Sequence, residues 1–357
     1  MNQPMVHVLL VEDDDSMIDN WNDAVDAFNA DVGKNGFLIE KLSVKSVKEA
    51  KKILDCRKLD AVVVDLRLQG ETGIGEDNDD GNKLIQHIRS TQPIGIVIYT
   101  GQTVQADVSG SENQIKVIDK GNGIEPVLTW LSSQKDLFLQ LRGIRVAVER
   151  ETAKIFFKSI WPRWERWTKG SDGAALTEAL ARHVTAHVHD SLLHSAGGEA
   201  HAEETYFLPP LKERLDTGDL LLRKNVVWIV VTPRCDLANS NNKTNVLLAK
   251  CNDISDKWNK IDVQSSKGKK TRKDITQHES SPKQHFLPPT SNSTGNQIGP
   301  WMVKFHDLEV IDIEDIHNDL TLTQDRFASL APQFVPSLVQ RFGAYFSRIG
   351  TPNLSSE

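Results

Sequence analysis

The sequence predicts an open α/β fold with a parallel sheet in the N-terminal part of the chain, and three observations support it. Short apolar runs recur without alternation, as in strands that are buried on both faces. Segments with helical spacing lie between these runs, as in β-α-β units. Each run ends abruptly in polar or charged residues, at the edge where open α/β sheets place their ligands. The runs are residues 8–11, 61–64, 96–99 and 115–118.

Acidic residues follow two of these runs. Glu12 and Asp13 come directly after the first run, and Asp65 comes directly after the second. Because the carboxyl ends of parallel strands meet at one edge of a sheet, we expect the three carboxylates to converge there. Adjacent anions repel one another and raise each other's pKa unless a divalent cation lies among them, and hard oxygen ligands favour Mg²⁺. The three residues therefore predict a magnesium site.

A hydroxyl and an ammonium group complete this edge. Thr100 follows the third run, and Lys120 follows the fourth after Asp119. Hydrogen-bond donors and positive charge suit the oxygens of a phosphoryl group. The alternative is an ordinary domain of this fold with an acidic rim and no phosphoryl chemistry.

On these residues, the segment from 6 to about 131 resembles the receiver domain of two-component response regulators, a flavodoxin-like domain with a five-stranded parallel sheet. The resemblance implies that Asp65 accepts a phosphoryl group from a histidine kinase or a phosphotransfer protein. It implies that Thr100 is the switch hydroxyl and Lys120 the conserved lysine. The Mg²⁺ ligands that it implies are Glu12, Asp13, Asp65 and the main-chain carbonyl of Arg67.

Three features depart from the receiver pattern. An acidic, glycine-rich insertion at 69–79 separates Asp65 from the next helix, and we expect it to form a flap over the site. Gly121 follows Lys120 where the family has proline, and Val117 occupies the usual aromatic switch position. We therefore expect a signalling readout that differs from the common one.

Length and charge suggest two or three domains. We predict a receiver at 1–131, a helical linker at 132–204 and an output domain at 205–357 with a polar insertion at 252–300. Residues 1–131 carry 22 acidic and 13 basic side chains, net -9, which leaves +2 for the rest of a chain of net charge -7. No basic field of the kind that drives nonspecific DNA binding is present. Three scattered cysteines and the lack of a membrane-length apolar run or signal peptide indicate a cytoplasmic protein.

A long helix is predicted from about Glu125 toward Trp161. Apolar residues recur along it at alternating steps of four and three, broken only where Glu151 occupies a seam position, as in the seam of a coiled coil. We expect this helix either to form a homodimer and connect receiver to output, or to pack on its own domain. The seam residues are Leu137, Leu141, Ile144, Val148 and Ile155.

Farther on, His183 and His187 lie one helical turn apart, which suits either a metal such as zinc or two solvated histidines.

The sequence of the output half predicts an α+β domain with a small antiparallel barrel, because short apolar segments separated by turns follow residue 217. Residues 218–248 faintly resemble the SH3-like barrel of the MazF/PemK family, which contains ribonuclease toxins, but the loop that carries the catalytic arginine there is nearly absent. A polar turn after one strand is the candidate site of this half, or else a capping turn with an Arg-Asp pair. Its residues are Thr232, Arg234, Cys235 and Asp236.

Three functions are therefore considered. We favour a phosphorylation-dependent response regulator whose output acts by protein contact. A receiver-controlled ribonuclease or other hydrolase is the second possibility. A DNA-binding transcription regulator ranks last, because no helix-turn-helix is recognisable and the output half is nearly neutral.

Overall fold

The computed structural model describes residues 3–68, 80–170, 173–195, 200–238, 245–277, 281–292, 295–312 and 325–348. The chain forms two compact units, residues 1–193 and 194–357. The three-part division at 131 and 204 stays a prediction. No helix among the described residues is long and apolar enough to cross a membrane.

The sheet of the first unit has five strands, all parallel, in the order β2-β1-β3-β4-β5. This order is that of flavodoxin-like folds, so the predicted α/β class is confirmed. The middle strand β3 is completely buried, which explains its uninterrupted run of apolar residues. The strands are β1 (Met5–Val11), β2 (Leu38–Val44), β3 (Ala61–Val64), β4 (Gly95–Thr100) and β5 (Ile115–Asp119).

Helices cover both faces of this sheet and contribute to two apolar cores. Asp14 caps α1 by accepting hydrogen bonds from the main-chain N–H groups of Ser16 and Met17. Between β4 and β5 the described chain makes a 3₁₀ turn, Thr103–Gln105, instead of an α-helix, in line with the weak helical pattern there. The helices are α1 (Asp15–Ala30), α2 (Val32–Asn35), α3 (Val47–Cys56), α4 (Asp80–Thr91) and α5 (Glu125–Ser133).

The predicted long helix is divided. It ends at Ser133 and begins again as α6 (Lys135–Ile155), followed by a π-helical turn at Phe156–Ile160. The reason is tertiary packing: the ring of Phe138 is 1% exposed and lies against Gly95 and Trp130. A Cβ added at Gly95 would lie 2.6 Å from that ring, so only glycine permits this approach.

Helix α6 is also attached to the edge of the sheet opposite the carboxyl ends of the strands. Arg142 pairs with Asp60, a 4% exposed residue directly before β3. The guanidinium of Arg145 donates to the main-chain carbonyl of Leu59. Two helices follow in the first unit, α7 (Trp164–Thr168) and α8 (Gly173–Ser195). The hydroxyl of Ser191 in α8 donates to Glu151 of α6 at 2.7 Å.

The second unit contains a seven-stranded antiparallel sheet in the order β10-β13-β9-β8-β7-β14-β6. It is curled into a half-barrel, which is the part of the predicted barrel that the structure bears out. A bulge between Lys304 and Leu308 bends the longest strand. The strands of this sheet are β6 (Tyr206–Phe207), β7 (Asp219–Arg223), β8 (Val226–Val230), β9 (Asn245–Asp253), β10 (Gln284–Leu287), β13 (Trp301–Asp312) and β14 (Arg326–Leu330). Two further strands, β11 (Thr290–Ser291) and β12 (Gln297–Ile298), form a separate antiparallel pair.

The segment that we expected to be a solvated insertion contains folded elements. Helices α10 (Ser255–Asn259) and α11 (Ser266–Thr276) precede β10, with the short helix α9 (Arg234–Ala238) earlier in the unit. Three buried apolar side chains of this segment pack with one from β13 in a small core and correct the expectation. They are Trp258, Ile275, Phe286 and Met302.

The last helix, α12 (Val335–Phe346), covers one face of the half-barrel. Leu338 is fully buried, and the rings of Phe305 and Phe342 are 5.5 Å apart between centroids.

Candidate functional site

Three carboxylates meet where β1 and β3 end. These strands are neighbours, with Val11 opposite Val64. The N–H of Asp65 donates to the carbonyl of Val11 at 3.0 Å, so the acids leave the sheet side by side. Oxygens of Glu12, Asp13 and Asp65 lie within 4.8 Å of one another, as the sequence predicted. Glu12 is 1% exposed and Asp65 6%, so two of the three are almost removed from water.

Lys120 joins two of these carboxylates. It follows β5, and its Nζ donates to Oδ2 of Asp65 at 2.9 Å and lies 2.6 Å from Oε2 of Glu12. The structure thus brings residues from three strand ends into one charged cluster. An ammonium group in this position would also contact an oxygen of a group attached to Asp65.

Burial and hydrogen bonding act in opposite directions on the pKa values of this cluster. Desolvation, followed by the charge of Asp65, raises the pKa of Glu12 in spite of the nearby lysine. Burial alone would lower the pKa of Lys120, but its hydrogen bonds to Glu12 and Asp65 outweigh that effect and raise it. Lys120 is therefore held in its charged form.

The donor set fits a hard divalent cation. Every candidate ligand atom is a carboxylate oxygen, and three carboxylates beside one ammonium leave an excess of about two negative charges. A magnesium ion would balance that charge. Arg67, whose carbonyl is the fourth predicted ligand, lies two residues after Asp65 in the loop that leaves β3.

Neighbouring acids have structural contacts instead. Asp14 caps α1. Hydrogen bonds lower the pKa of Asp14, and the largest contribution comes from the side chain of Ser16. Asp15 pairs with Lys45 at 2.5 Å. Lys45 follows β2 and was not among the predicted site residues, because no apolar run marks that strand.

Thr100, the remaining predicted residue, lies at the same edge of the sheet, and Gly81 lies close to that edge. Thr100 is 1% exposed at the end of β4, opposite Asp119 in the register, and its Oγ1 accepts from the N–H of Gln102 at 3.3 Å. Gly81, at the start of α4, lies so near the chain after β3 that an added Cβ would be 2.6 Å from the carbonyl oxygen of Asp65. The predicted flap at 69–79 lies outside the described residues.

Comparison with known proteins gives matches among solved structures. No family model matches the chain, and no curated protein matches it. The signal receiver domain of an HD domain-containing protein from Pseudomonas fluorescens Pf-5 is similar at 14% identity and a TM-score of 0.30, over 39% of this chain and 99% of that one. The receiver domain of the Erythrobacter litoralis response regulator PhyR is similar at 17% identity and a TM-score of 0.29, over 38% and 92%.

A longer match covers 56% of this chain. It is the Salmonella typhimurium response regulator RcsB, described for its interaction with DNA, at 13% identity and a TM-score of 0.30, over 94% of that chain. Matches at these identities and scores assign no activity to the chain. The fold assignment above depends on the strand order, and the site depends on its own geometry.

The candidate site of the second unit has mainly structural contacts. Thr232 is 5% exposed, its Oγ1 accepts from the N–H of Leu247 at 2.6 Å, and its carbonyl accepts from the hydroxyl of Thr217. Arg234 donates from Nε to Oδ1 of Asp216 at 2.7 Å. The arginine therefore forms the Arg-Asp pair of the structural alternative, with Asp216 as its partner.

The other two predicted residues of this turn are exposed. Cys235 and Asp236 lie in α9, with Sγ of the cysteine 3.5 Å from Oδ1 of the aspartate. No histidine joins this contact among the described residues, so a base for a cysteine nucleophile is not seen there.

The two histidines of α8 contact each other and their surroundings. The ring centroids of His183 and His187 are 4.5 Å apart, and Nε2 of His183 lies 3.1 Å from the hydroxyl of Ser159. Burial, then the charges of His187 and Arg163, lowers the pKa of His183. Within the described part of the chain, no third potential ligand joins them in a metal-binding group.

Proposed function

We propose that the first unit is a phosphoryl-accepting receiver of a two-component phosphorelay and regulates the rest of the chain. The observation that carries the proposal is the environment of Asp65. This nearly buried carboxylate has an ammonium group 2.9 Å from one oxygen and two further carboxylates within 4.8 Å. Such a set suits the transfer of a phosphoryl group to an oxygen of Asp65, with a histidine kinase or a phosphotransfer protein as donor.

In the proposed reaction, a carboxylate oxygen of Asp65 forms a bond to phosphorus. The bond between phosphorus and the donor atom breaks, and the donor keeps the electron pair. Lys120 pairs with one transferred oxygen, and the hydroxyl of Thr100 donates to another. Mg²⁺, held by Glu12, Asp13, Asp65 and the carbonyl of Arg67, would supply positive charge against the charge that develops during transfer.

The test is phosphorylation of the full chain with acetyl phosphate and Mg²⁺, followed by intact mass spectrometry. We expect one added phosphoryl group on the wild type and none on Asp65→Asn. Asp19→Asn, an exposed change on α1, is the matched control and should react like the wild type. Equal labelling of Asp65→Asn, or no labelling of the wild type, would contradict the proposal.

We also propose that the protein forms a homodimer through α6. One face of this helix holds Phe138 and Arg142 against its own sheet. The N-terminal part of the predicted seam lies on a different face and remains exposed, since Leu137 is 52% and Ile144 59% accessible. Its alternating spacing of four and three is self-complementary, which favours a second copy of the same helix as the partner.

For the second unit we propose an output that acts by binding rather than by catalysis. The contacts of Thr232 and Arg234 favour this view over the hydrolase alternative, because both side chains already stabilise the turn that contains them. A protein contact is the partner that the sequence favoured. The surface of the half-barrel, by contrast, favours a partner other than a protein.

A further inference from the structure

We propose that the second unit binds single-stranded nucleic acid in a groove beside α10. The inference is independent of phosphorylation at Asp65 and concerns only residues of this unit. A cavity of about 890 Å³ opens between the β7–β8 turn, the end of β9, α10 and β12. Its volume lies at the upper end of the range for small-ligand sites.

Carboxamide groups dominate the polar lining of this groove. Asn225, Asn252, Asn259 and Gln297 come from four separate elements, and their side chains make no hydrogen bond to other residues in the described part of the chain. Each carboxamide presents a donor and an acceptor together. That arrangement matches the edges of unpaired bases, which also present donors beside acceptors.

An aromatic side chain extends the groove. Phe327 is half-buried and lines both the first cavity and a second one of about 660 Å³. Its ring centroid is 6.1 Å from that of Trp301, a buried residue that also lines the first cavity. Two adjacent cavities with an aromatic ring between them suit a single nucleic-acid strand. A base would stack on the ring, and the strand would bend past the ring from one cavity to the other.

Positive charge lies next to the same groove. Asn259 lines the groove from α10, while Lys257 of the same helix lines a smaller cavity together with Ile275 of α11. The two helices are joined by Arg272, whose guanidinium lies 3.6 Å from the ring centroid of Trp258. Residues 255–277 carry seven basic and three acidic side chains, net +4, in a chain of net charge -7.

The lysines of α11 are available for an anionic partner. Lys269, Lys270 and Lys273 are exposed, and none forms an ion pair with a residue that the structure describes. A flexible polyanion with unpaired bases would satisfy both the lysines and the carboxamides. A duplex would satisfy only the lysines, because its bases are already paired.

The test is fluorescence anisotropy of the full chain with labelled oligonucleotides of about twelve nucleotides. The probes are single-stranded RNA, single-stranded DNA of the same sequence and the RNA duplex. We expect single strands to bind at least tenfold more tightly than the duplex. Tighter binding of RNA than DNA would indicate a contact to the ribose hydroxyl, and equal binding would indicate recognition through bases and phosphates alone.

Two variants separate the contributions. Asn252→Ala, Asn259→Ala and Gln297→Ala together should weaken single-strand binding about tenfold without changing its salt dependence. Lys269→Ala, Lys270→Ala and Lys273→Ala together should weaken it and reduce the slope of log K against log salt by about 2. The matched control removes three exposed lysines of α3, Lys48, Lys51 and Lys52, and should bind like the wild type.

Three results would overturn the inference. They are no binding of any oligonucleotide to the wild type, equal binding of duplex and single strand, and an unchanged affinity in the carboxamide variant. The last two would show nonspecific attraction to lysines, and the first would favour a protein as the partner. Thermal melting of each variant would show that it is folded, since all six substituted side chains are exposed.

Discussion

At the scale of single residues, the buried Glu12 carboxylate makes the stability of the first unit depend on pH. Its pKa is raised above the ordinary value of 4.5 by burial and then by Asp65, so the folded state binds this proton more tightly than the unfolded chain does. The contribution of Glu12 to the free energy of unfolding is therefore lost as the pH rises from the pKa of Glu12 in the unfolded chain through its higher pKa in the folded state. Without Mg²⁺ we expect Glu12→Gln to be more stable than the wild type at pH 7 and to lose this advantage near pH 4.5.

Urea denaturation between pH 4 and 8 in the presence of a chelator would measure this effect. Asp23→Asn, an exposed change on α1, serves as the control and should follow the wild type at every pH. Added Mg²⁺ should stabilise the wild type more than Glu12→Gln, because the variant lacks one ligand. A wild type that is more stable than Glu12→Gln at pH 7 without metal would contradict the prediction.

Arg234 gives a second prediction, in the other unit. Burial alone would raise the pKa of Asp216, but hydrogen bonds from Lys212 and Arg234 outweigh it and lower that pKa. Because the arginine side chain is 47% exposed, its loss in Arg234→Ala should cost only about 1 kcal/mol of unfolding free energy. The cost should shrink as the pH falls from the unfolded pKa of Asp216 through its lower folded pKa, because protonation of Asp216 removes from the wild type the ion pair that the variant already lacks.

Chemical denaturation at pH 7 and pH 3 would measure that difference. The neighbouring exposed change Cys235→Ser should leave stability unaltered. A variant that keeps full stability but loses a hydrolytic activity would instead favour the catalytic alternative for this turn.

Much of the candidate site was predictable because it follows one rule, that polar residues directly after buried parallel strands share an edge. Glu12, Asp65, Thr100 and Lys120 all obey it. The contacts of Asp14 and Asp15 were not predictable, since one caps a helix and the other pairs with Lys45 across the fold. Four acids in succession look alike in a sequence, and only their neighbours in space give them different roles.

At the scale of elements, the attachment of α6 depends on one side chain. Phe138 is buried against the sheet, whereas its neighbour Leu137 is 52% exposed on the same helix. We expect Phe138→Ala to cost about 3–5 kcal/mol, as for other buried aromatic residues. Val146→Ala, a 47% exposed change on the same helix and outside the seam, should change stability by about 0.5 kcal/mol or less.

Hydrogen exchange along α6, together with denaturation of both variants, would test this difference. Faster exchange in α6 of Phe138→Ala alone would show that the ring holds the start of the helix on the sheet. Similar effects of the two variants would contradict the assigned packing.

The elements that the sequence did not predict share a physical cause. Strand β2 lies at the edge of the sheet and is partly exposed, so it can contain charged residues such as Glu40 and Lys41. It therefore lacks the apolar run of its buried neighbours. The core residues Trp258 and Ile275 are far apart in a polar segment, so composition alone indicates a solvated region. The end of α5 depends on Phe138 meeting Gly95, a contact between distant parts of the chain.

At the scale of the whole molecule, the two units carry opposite electrostatic features. Three clustered acids of the first unit, two of which contact Lys120, favour a cation, while α10 and α11 of the second carry a net charge of +4 over residues 255–277. A phosphoryl group on Asp65 would add negative charge to the first site. Such a change can alter an output only through an element that has two arrangements, and α6 is the first long helix after the parallel sheet.

Assembly of the full chain provides the last prediction. If a second copy covers the exposed seam of α6, Ile144→Glu should place a charge within the interface and convert the dimer to a monomer. Val146 is the matched control, because it lies on the same helix at 47% exposure but outside the seam. We expect Val146→Glu to remain a dimer in light scattering over a range of concentrations. A monomeric wild type, or equal dissociation by both variants, would mean that the seam is not the dimer interface.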